Sequence, residues 1–237
     1  MVTLPTVSIV TLLTDRRNFI PLLKACVELQ DYDKSRIEWV IVDDSGLDSS
    51  EAKKDFTDCS IQPFYISLSH KIALGRKRNI SCQIASGEFI IFFDDDDIHY
   101  PNRISSNVLA LTRRGGRNIA GSSRQDLLDV STGNIYRHGP YGPNHAVAST
   151  FFFRRELLKI TAFRDSDKAG EEAYFLKNYS IPMHQLLPEN TTIILAHDNN
   201  TIKKNRFITK EKFRLNIADL KLPPKIIDAI PNKQILI

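Results

Sequence analysis

The sequence predicts an α/β fold: a single domain in which a mixed, mostly parallel central sheet is flanked by helices. Two observations carry that expectation. Through the first half of the 237 residues, short β-branched runs alternate with stretches of helical periodicity, the pattern of parallel strands joined by crossover helices. Two of those runs also end in acidic turns, Asp43-Asp44 and Asp94-Asp95-Asp96-Asp97, and open α/β sheets bind their ligands outside the carboxyl ends of strands.

Taken in order, residues 7–12 read as a buried first strand. Phe19, Leu22, Leu23, Cys26 and Val27 then recur at helical spacing on one face, with Pro21 tolerated in the opening turn. Residues 39–42 form a second strand, stopped by Asp43-Asp44-Ser45-Gly46; residues 64–68 form a third. A helix over 75–85 leads to residues 89–93, the most apolar strand, and Pro101 opens a helix whose Ile104, Val108 and Leu111 share a face. Past residue 116, segments 123–130 and 134–138 flank Ser131-Thr132-Gly133 as a hairpin, and 150–153 is a further strand. Gly170 precedes a helix with Phe175, Leu176 and Tyr179 inward, and 192–196 is the last strand. From about residue 215 the chain is punctuated by proline and weakly patterned, which predicts a peripheral tail or docking segment over 216–237. The domain proper is therefore expected over 1–215, divided into halves at about residue 115.

Hydrophobic residues make up 42% and charged residues 25%, which argues against both disorder and a membrane protein. No apolar run approaches the roughly 20 residues that span a bilayer, and Met1-Val2-Thr3-Leu4-Pro5 lacks the basic and apolar regions of a secretory signal, so a cytoplasmic location is expected. Cys26, Cys59 and Cys82 lack metal-ligand spacing and read as reduced, packed residues. The net charge of +4 gathers in Lys203-Lys204-Asn205-Arg206 and in 210–214. Such a cluster suits nucleic acid, an acidic surface or a diphosphate, and its sign alone does not choose among them; the partners expected for the chain include peripheral membrane contact through this region and no nucleic acid.

The chemistry concentrates in the Asp94 to Asp97 run. Four adjacent carboxylates repel one another, and a bound Mg²⁺ or Mn²⁺ relieves the repulsion. If the strand geometry continues, Asp94 and Asp96 point one way and Asp95 the other. Asp43 and Asp44 end the second strand, where a carboxylate accepts hydrogen bonds from a base N–H or a ribose hydroxyl. Arg16-Arg17 and Gly75-Arg76-Lys77-Arg78-Asn79 supply cations at two other strand-to-helix junctions, suited to a diphosphate.

In their order, Val7-Ser8-Ile9-Val10-Thr11, Glu38-Trp39-Val40-Ile41-Val42-Asp43-Asp44-Ser45, Arg78-Asn79, Ala85-Ser86-Gly87-Glu88-Phe89-Ile90 and Phe93-Asp94-Asp95-Asp96-Asp97 resemble the signature of family 2 glycosyltransferases. Arg16-Arg17 with Pro21-Leu22-Leu23, and Pro101 after the acidic run, further resemble a subgroup found in some large DNA viruses and microbes. The resemblance implies a GT-A fold with a Rossmann-like sheet, a UDP-sugar donor, Mn²⁺ or Mg²⁺, and a glycan or glycoprotein acceptor. It implies a donor site of Thr11, Leu12, Thr14, Arg16, Asp43, Asp44, Arg76, Arg78, Asp94 and Asp95. Asp94 and Asp96 would form the DxD motif, with Asp96, Asp94 and His197 at the metal. Glu172 would be the catalytic base beside Glu171, and Tyr141, Asn144 and His145 would meet the acceptor. Thr14 departs from the family pattern, since many members carry an aromatic residue there. The rival readings are a nucleotidyltransferase acting on sugar phosphates and a non-catalytic binding module.

Overall fold

The computed structural model describes residues 3–113, 116–130, 132–197, 200 and 214–231. In chain order the strands and helices are β1 (Val7–Leu13), α1 (Ile20–Glu28), β2 (Ile37–Asp43), α2 (Ser49–Ala52), β3 (Phe64–Ser67), α3 (Leu74–Ile84), β4 (Phe89–Phe92), β5 (Ile98–His99), α4 (Arg103–Arg113) and β6 (Ile119–Gly121). There follow β7 (Gln125–Asp129), β8 (Asn134–His138), β9 (Phe152–Arg154), α5 (Glu172–Phe175), β10 (His184–Gln185), β11 (Thr192–Ala196), β12 (Arg214–Asn216) and α6 (Pro224–Asp228).

Seven strands form the main sheet in the order β10-β6-β9-β4-β1-β2-β3. Its β4-β1-β2-β3 part is parallel, and β9 runs antiparallel between β4 and β6. The inner strands read as largely apolar runs because both faces are covered. On one face Ile9, Trp39, Ile41, Ile91 and Phe93 pack with Leu23 and Val27 of α1 and with Ile104 and Leu111 of α4. On the other, Val10, Val42, Ile90 and Phe92 pack with Cys82 of α3 and with Phe153 and Phe175. The central sheet is mixed and mostly parallel, as expected.

A second sheet, β12-β8-β7-β11-β5, was not expected. It explains why α1 carries apolar residues on more than one side. Leu23 and Val27 face the main sheet, whereas Phe19, Leu22 and Cys26 join Ile98, Leu128, Ile135, Ile193 and Leu195 of the second. The segment after residue 215 is integrated rather than peripheral: Ile217, Leu220, Leu222 and Ile226 are buried in that same cluster. The basic cluster of 203–213 lies outside the described residues, as do Ser131 of the hairpin turn and Asp198.

Three local expectations change. The fourth strand ends at Phe92, not Phe93. Residues 148–150 form a 3₁₀ turn, so the ninth strand begins at Phe152. The helix after Gly170 stops at Phe175, which leaves Tyr179 outside it. All three cysteines are free and buried. No helix among the described residues is long and apolar enough to cross a membrane.

Candidate active site

The loops that follow β1, β2 and β4 meet at one edge of the sheet, and α3 brings two cations beneath them. After β1, the Thr14 hydroxyl donates to Asp44 Oδ1 at 3.0 Å. Lys77 Nζ reaches the same oxygen at 2.5 Å and also donates to the Leu13 carbonyl at 3.1 Å and Thr14 Oγ1 at 2.9 Å. The Ile72 amide donates to the other oxygen of Asp44 at 3.2 Å. Burial pulls the pKa of Lys77 down against the pull of Asp44, Asp95 and Asp43, so the ammonium lies in the field of both acidic turns.

The acidic run is not an extension of the strand. β4 ends before it and the chain turns at Asp95 and Asp96, so side-chain alternation lapses. Arg16 bridges Asp95 and Asp96, at 2.5 Å to each, and the two that share a cation are neighbours rather than Asp94 and Asp96. Burial lowers the pKa of Arg16, but Asp95, Asp96 and Asp94 together raise it above its ordinary value. Burial raises the pKa of Asp95 well above its ordinary value; Arg16 opposes the rise, and Asp96 and Asp94 add to it. Asp97 turns inward and accepts from the Leu195 amide at 3.2 Å. The chain therefore carries its own countercharge, which the sequence argument had assigned wholly to a metal.

A floor beneath this loop escaped sequence reading. His99 stacks on Phe93 with ring centroids 4.0 Å apart and bonds through Nε2 to the Asp94 carbonyl at 3.0 Å. Arg103 bonds to His99 Nδ1 and donates to the Ser149 carbonyl at 2.5 Å. Burial, with Arg103 beside it, presses the pKa of His99 well below the ordinary imidazole value, and with Nδ1 taken up by the Arg103 donor, Nε2 is the nitrogen that donates to the Asp94 carbonyl. The signal was present: Arg103 and Asn107 fall on the same buried side of α4 as Ile104, Val108 and Leu111.

For the metal, Asp96 Oδ2 and His197 Nε2 face each other at 3.1 Å, with the Asn200 amide 3.2 Å from the same oxygen. A carboxylate paired with an imidazole fits a divalent ion that completes its shell with phosphate oxygens. Asp94 does not join them. It lies 3.6 Å from Arg78 instead, and among the described residues no three His, Cys, Asp or Glu side chains are grouped to hold an ion. Of the expected trio, Asp96 and His197 meet while Asp94 stands apart on Arg78, and Arg16 rests on the Asp96 oxygen an ion would need.

Arg78 ties the two halves of the chain together. Its Nε donates to Glu171 Oε1 at 2.7 Å, its Nη2 lies 3.6 Å from Asp94, and its guanidinium covers the Phe92 ring at 4.4 Å. Glu172, next to Glu171 at the start of α5, is half-buried. Burial raises its carboxyl pKa, and the Glu171 carboxylate adds to the rise.

Several expected residues do not face this cleft. The Thr11 hydroxyl accepts from the Trp39 indole at 3.1 Å inside the core, because odd-numbered β1 residues face α1. Leu12 is packed in the apolar cluster on the opposite face. Arg76 lies on the exposed side of α3, 3.9 Å from Asp165; the buried cations of that helix are Lys77 and Arg78. Helical spacing from Leu74 singles out 77, 78 and 81, so Lys77 was legible and was missed. Asp43 is engaged below the turn by the Tyr65 hydroxyl, by the Ser45 amide at 2.8 Å and by Arg17 at 3.5 Å. In the second half, Asn144 Oδ1 accepts from the Met183 amide at 3.3 Å, while Tyr141 and His145 form a ring pair 4.9 Å apart.

A parallel β4-β1-β2-β3 core with acidic turns at its carboxyl edge, joined through β9 to a half that carries a paired glutamate, defines a GT-A glycosyltransferase fold. The family model described as glycosyl transferase family 2 matches residues 8–161, more than half of the 237 residues, and the chain belongs to that family. Among solved structures, Staphylococcus aureus TarS 1–349 in complex with UDP-GlcNAc aligns with a TM-score of 0.62 at 17% identity, covering 82% of this chain and 60% of that one. The mannosyltransferase PcManGT from Pyrobaculum calidifontis, in complex with GDP-Man and Mn²⁺, aligns with a TM-score of 0.60 at 15% identity, covering 84% and 59%. A longer TarS chain is covered over 36% of its length, so this chain spans less than two thirds of the length of these relatives. At such identities the likeness shows the fold. No curated protein matches the sequence.

Proposed function

We propose that the protein transfers a sugar from a UDP-sugar to a hydroxyl of a glycan acceptor, assisted by a divalent metal and with inversion at the anomeric carbon. The observation that carries this reading is Arg78, which lies 3.6 Å from Asp94 of the acidic loop and 2.7 Å from Glu171, the neighbour of the candidate base Glu172; that link supports a base beside the candidate donor site. The family membership supports the reaction class, and the UDP-GlcNAc complex of TarS and the GDP-Man and Mn²⁺ complex of PcManGT support a nucleotide-sugar donor.

In this reading Asp44 accepts a hydrogen bond from the base, pre-oriented by Thr14 and Lys77. Asp96 and His197 would hold Mn²⁺ or Mg²⁺, which when bound neutralises the diphosphate as a Lewis acid. Arg16 then exchanges its carboxylate partners for phosphate oxygens, since a guanidinium binds either through paired hydrogen bonds. Glu172 takes the proton of the attacking hydroxyl; burial gives it a raised pKa, which makes it a stronger base at neutral pH.

Thermal unfolding with UDP, GDP and nucleoside triphosphates, with and without Mn²⁺, tests the proposal alongside hydrolysis of the matching nucleotide sugars. UDP should stabilise the protein in a metal-dependent way, and Asp96→Asn should fold yet lose that effect. Unchanged stabilisation of the variant counts against the metal assignment. Stabilisation by triphosphates with release of pyrophosphate would replace it with nucleotidyl transfer.

A further inference from the structure

Helix α5 ends in a turn that needs strong local support. Lys177, Asn178 and Tyr179 lie consecutively in the left-handed region, with φ of 50°, 52° and 60°. Glycine enters that region without a Cβ clash and asparagine tolerates it, but lysine and tyrosine do so at a cost. The Lys177 amide bonds to the Tyr174 carbonyl at 2.9 Å and the Asn178 amide to Ala173 at 2.8 Å, the paired closure that a glycine commonly completes. Here no glycine is present, and the left-handed run continues for two further residues. Ser180 pins it, with its amide on the Leu176 carbonyl at 3.0 Å and its hydroxyl on that of Lys177 at 2.8 Å. Strain of this kind persists where the surroundings over-determine it, and it collects at ligand clamps.

What the turn delivers is Tyr179. Its ring stacks on His145 with centroids 5.0 Å apart and planes 26° apart, and His145 in turn meets Tyr141. Tyr179 is half-buried, with part of its surface on the apolar cluster behind it, and Tyr141 is 54% exposed. Three rings from two separate loops thus form a continuous aromatic surface that the core does not consume. His145 Nδ1 is buried with no hydrogen-bond partner. The surface is carried by the turn that closes α5, the short helix whose first residue is Glu172; after burial, the Glu172 carboxylate raises the Tyr179 phenol pKa.

We propose that Tyr179, His145 and Tyr141 form the acceptor platform, on which a pyranose ring stacks with a hydroxyl turned toward Glu172. The left-handed turn holds Tyr179 in that place, and Tyr179 selects the acceptor. Aromatic faces are electron-rich, and the face of a pyranose that carries axial C–H bonds complements them. The inference rests on the glycosyl-transfer reading above.

Saturation-transfer difference NMR tests it, with the methyl α- and β-pyranosides of glucose, galactose and mannose as probes, each read with and without UDP and Mn²⁺. Transfer from the aromatic signals to pyranoside ring protons is expected for the parent. It should fall at least fivefold in Tyr179→Leu and in Tyr141→Ala and persist in Tyr179→Phe. Tyr141 is exposed, so its variant does not put the fold at risk, and thermal unfolding checks the Tyr179 variants. No transfer to any pyranoside, or equal transfer in Tyr179→Leu and parent, overturns the platform. The UDP stabilisation of the same samples should be unchanged by these variants; its absence in the parent overturns the donor reading instead, and the spectra without UDP still judge the platform.

Discussion

Replacing Lys77 by methionine removes one charge from a buried pair and leaves the other. The Lys77 and Asp44 side chains are 5% and 3% exposed and 2.5 Å apart. Breaking such a pair by deleting one partner costs about 3–5 kcal/mol. Asp44 retains the Thr14 hydroxyl and the Ile72 amide, which places the cost near the lower end, about 3 kcal/mol. Asp44→Asn should cost less, about 1–2 kcal/mol, because the amide oxygen still accepts from Thr14 and Lys77 keeps the Leu13 carbonyl and the Thr14 hydroxyl. The double variant should then fall short of the sum by about 1–3 kcal/mol, since the residues are in contact. Urea unfolding of the four proteins at neutral pH measures the cycle, and Lys77→Met should also lower Tm by about 6–12 °C. A Lys77→Met protein within about 1 kcal/mol of the parent, or an additive double variant, would refute the claim that this pair is what holds the loop after β1 against the end of β2.

Other outcomes follow from the same contacts. Because burial raises the Glu172 carboxyl above its ordinary 4.5, the base gains its proton as pH falls through a value higher than that. The acid limb of kcat/KM should therefore lie above pH 4.5, and Glu172→Gln should lower kcat by about 10²–10⁴ while UDP stabilisation survives; a limb at or below 4.5 contradicts the assignment. Arg16→Met leaves buried Asp95 and Asp96 without their cation, costing about 3 kcal/mol, and Mn²⁺ should stabilise this variant more than the parent in thermal unfolding. Gly75→Ala places a Cβ 2.1 Å from the Arg164 carbonyl oxygen, so the start of α3 must shift, at about 1–3 kcal/mol in urea unfolding.

Much of the architecture was legible because burial leaves a periodic mark on the chain. The runs at β1, β2 and β4 are largely apolar since both faces are covered, and the acidic residues that stop β2 and β4 mark the binding edge. Lys77 was equally visible, one turn from Leu74 on the buried side of α3, and was passed over only because 76–78 was read as one basic block. Arg103 stood on the apolar side of α4, which is itself a sign of a buried cation with partners.

By itself the sequence determined the class of sheet, where its first four strands lie along the chain and which strand ends carry acids, because those properties depend on neighbours within about one helical turn or one strand. Only the tertiary structure decided which charge meets which. Arg16 and Asp96 are separated by 80 positions and Arg78 and Glu171 by 93, and no periodic signal links residues so far apart. The second sheet and the burial of Ile217, Leu220, Leu222, Ile226 and Ile230 in one cluster with Leu22 and Cys26 of α1 arise likewise from packing between distant segments. Each is stabilised by contacts that exist only once the chain has closed on itself, so none leaves a trace in local spacing.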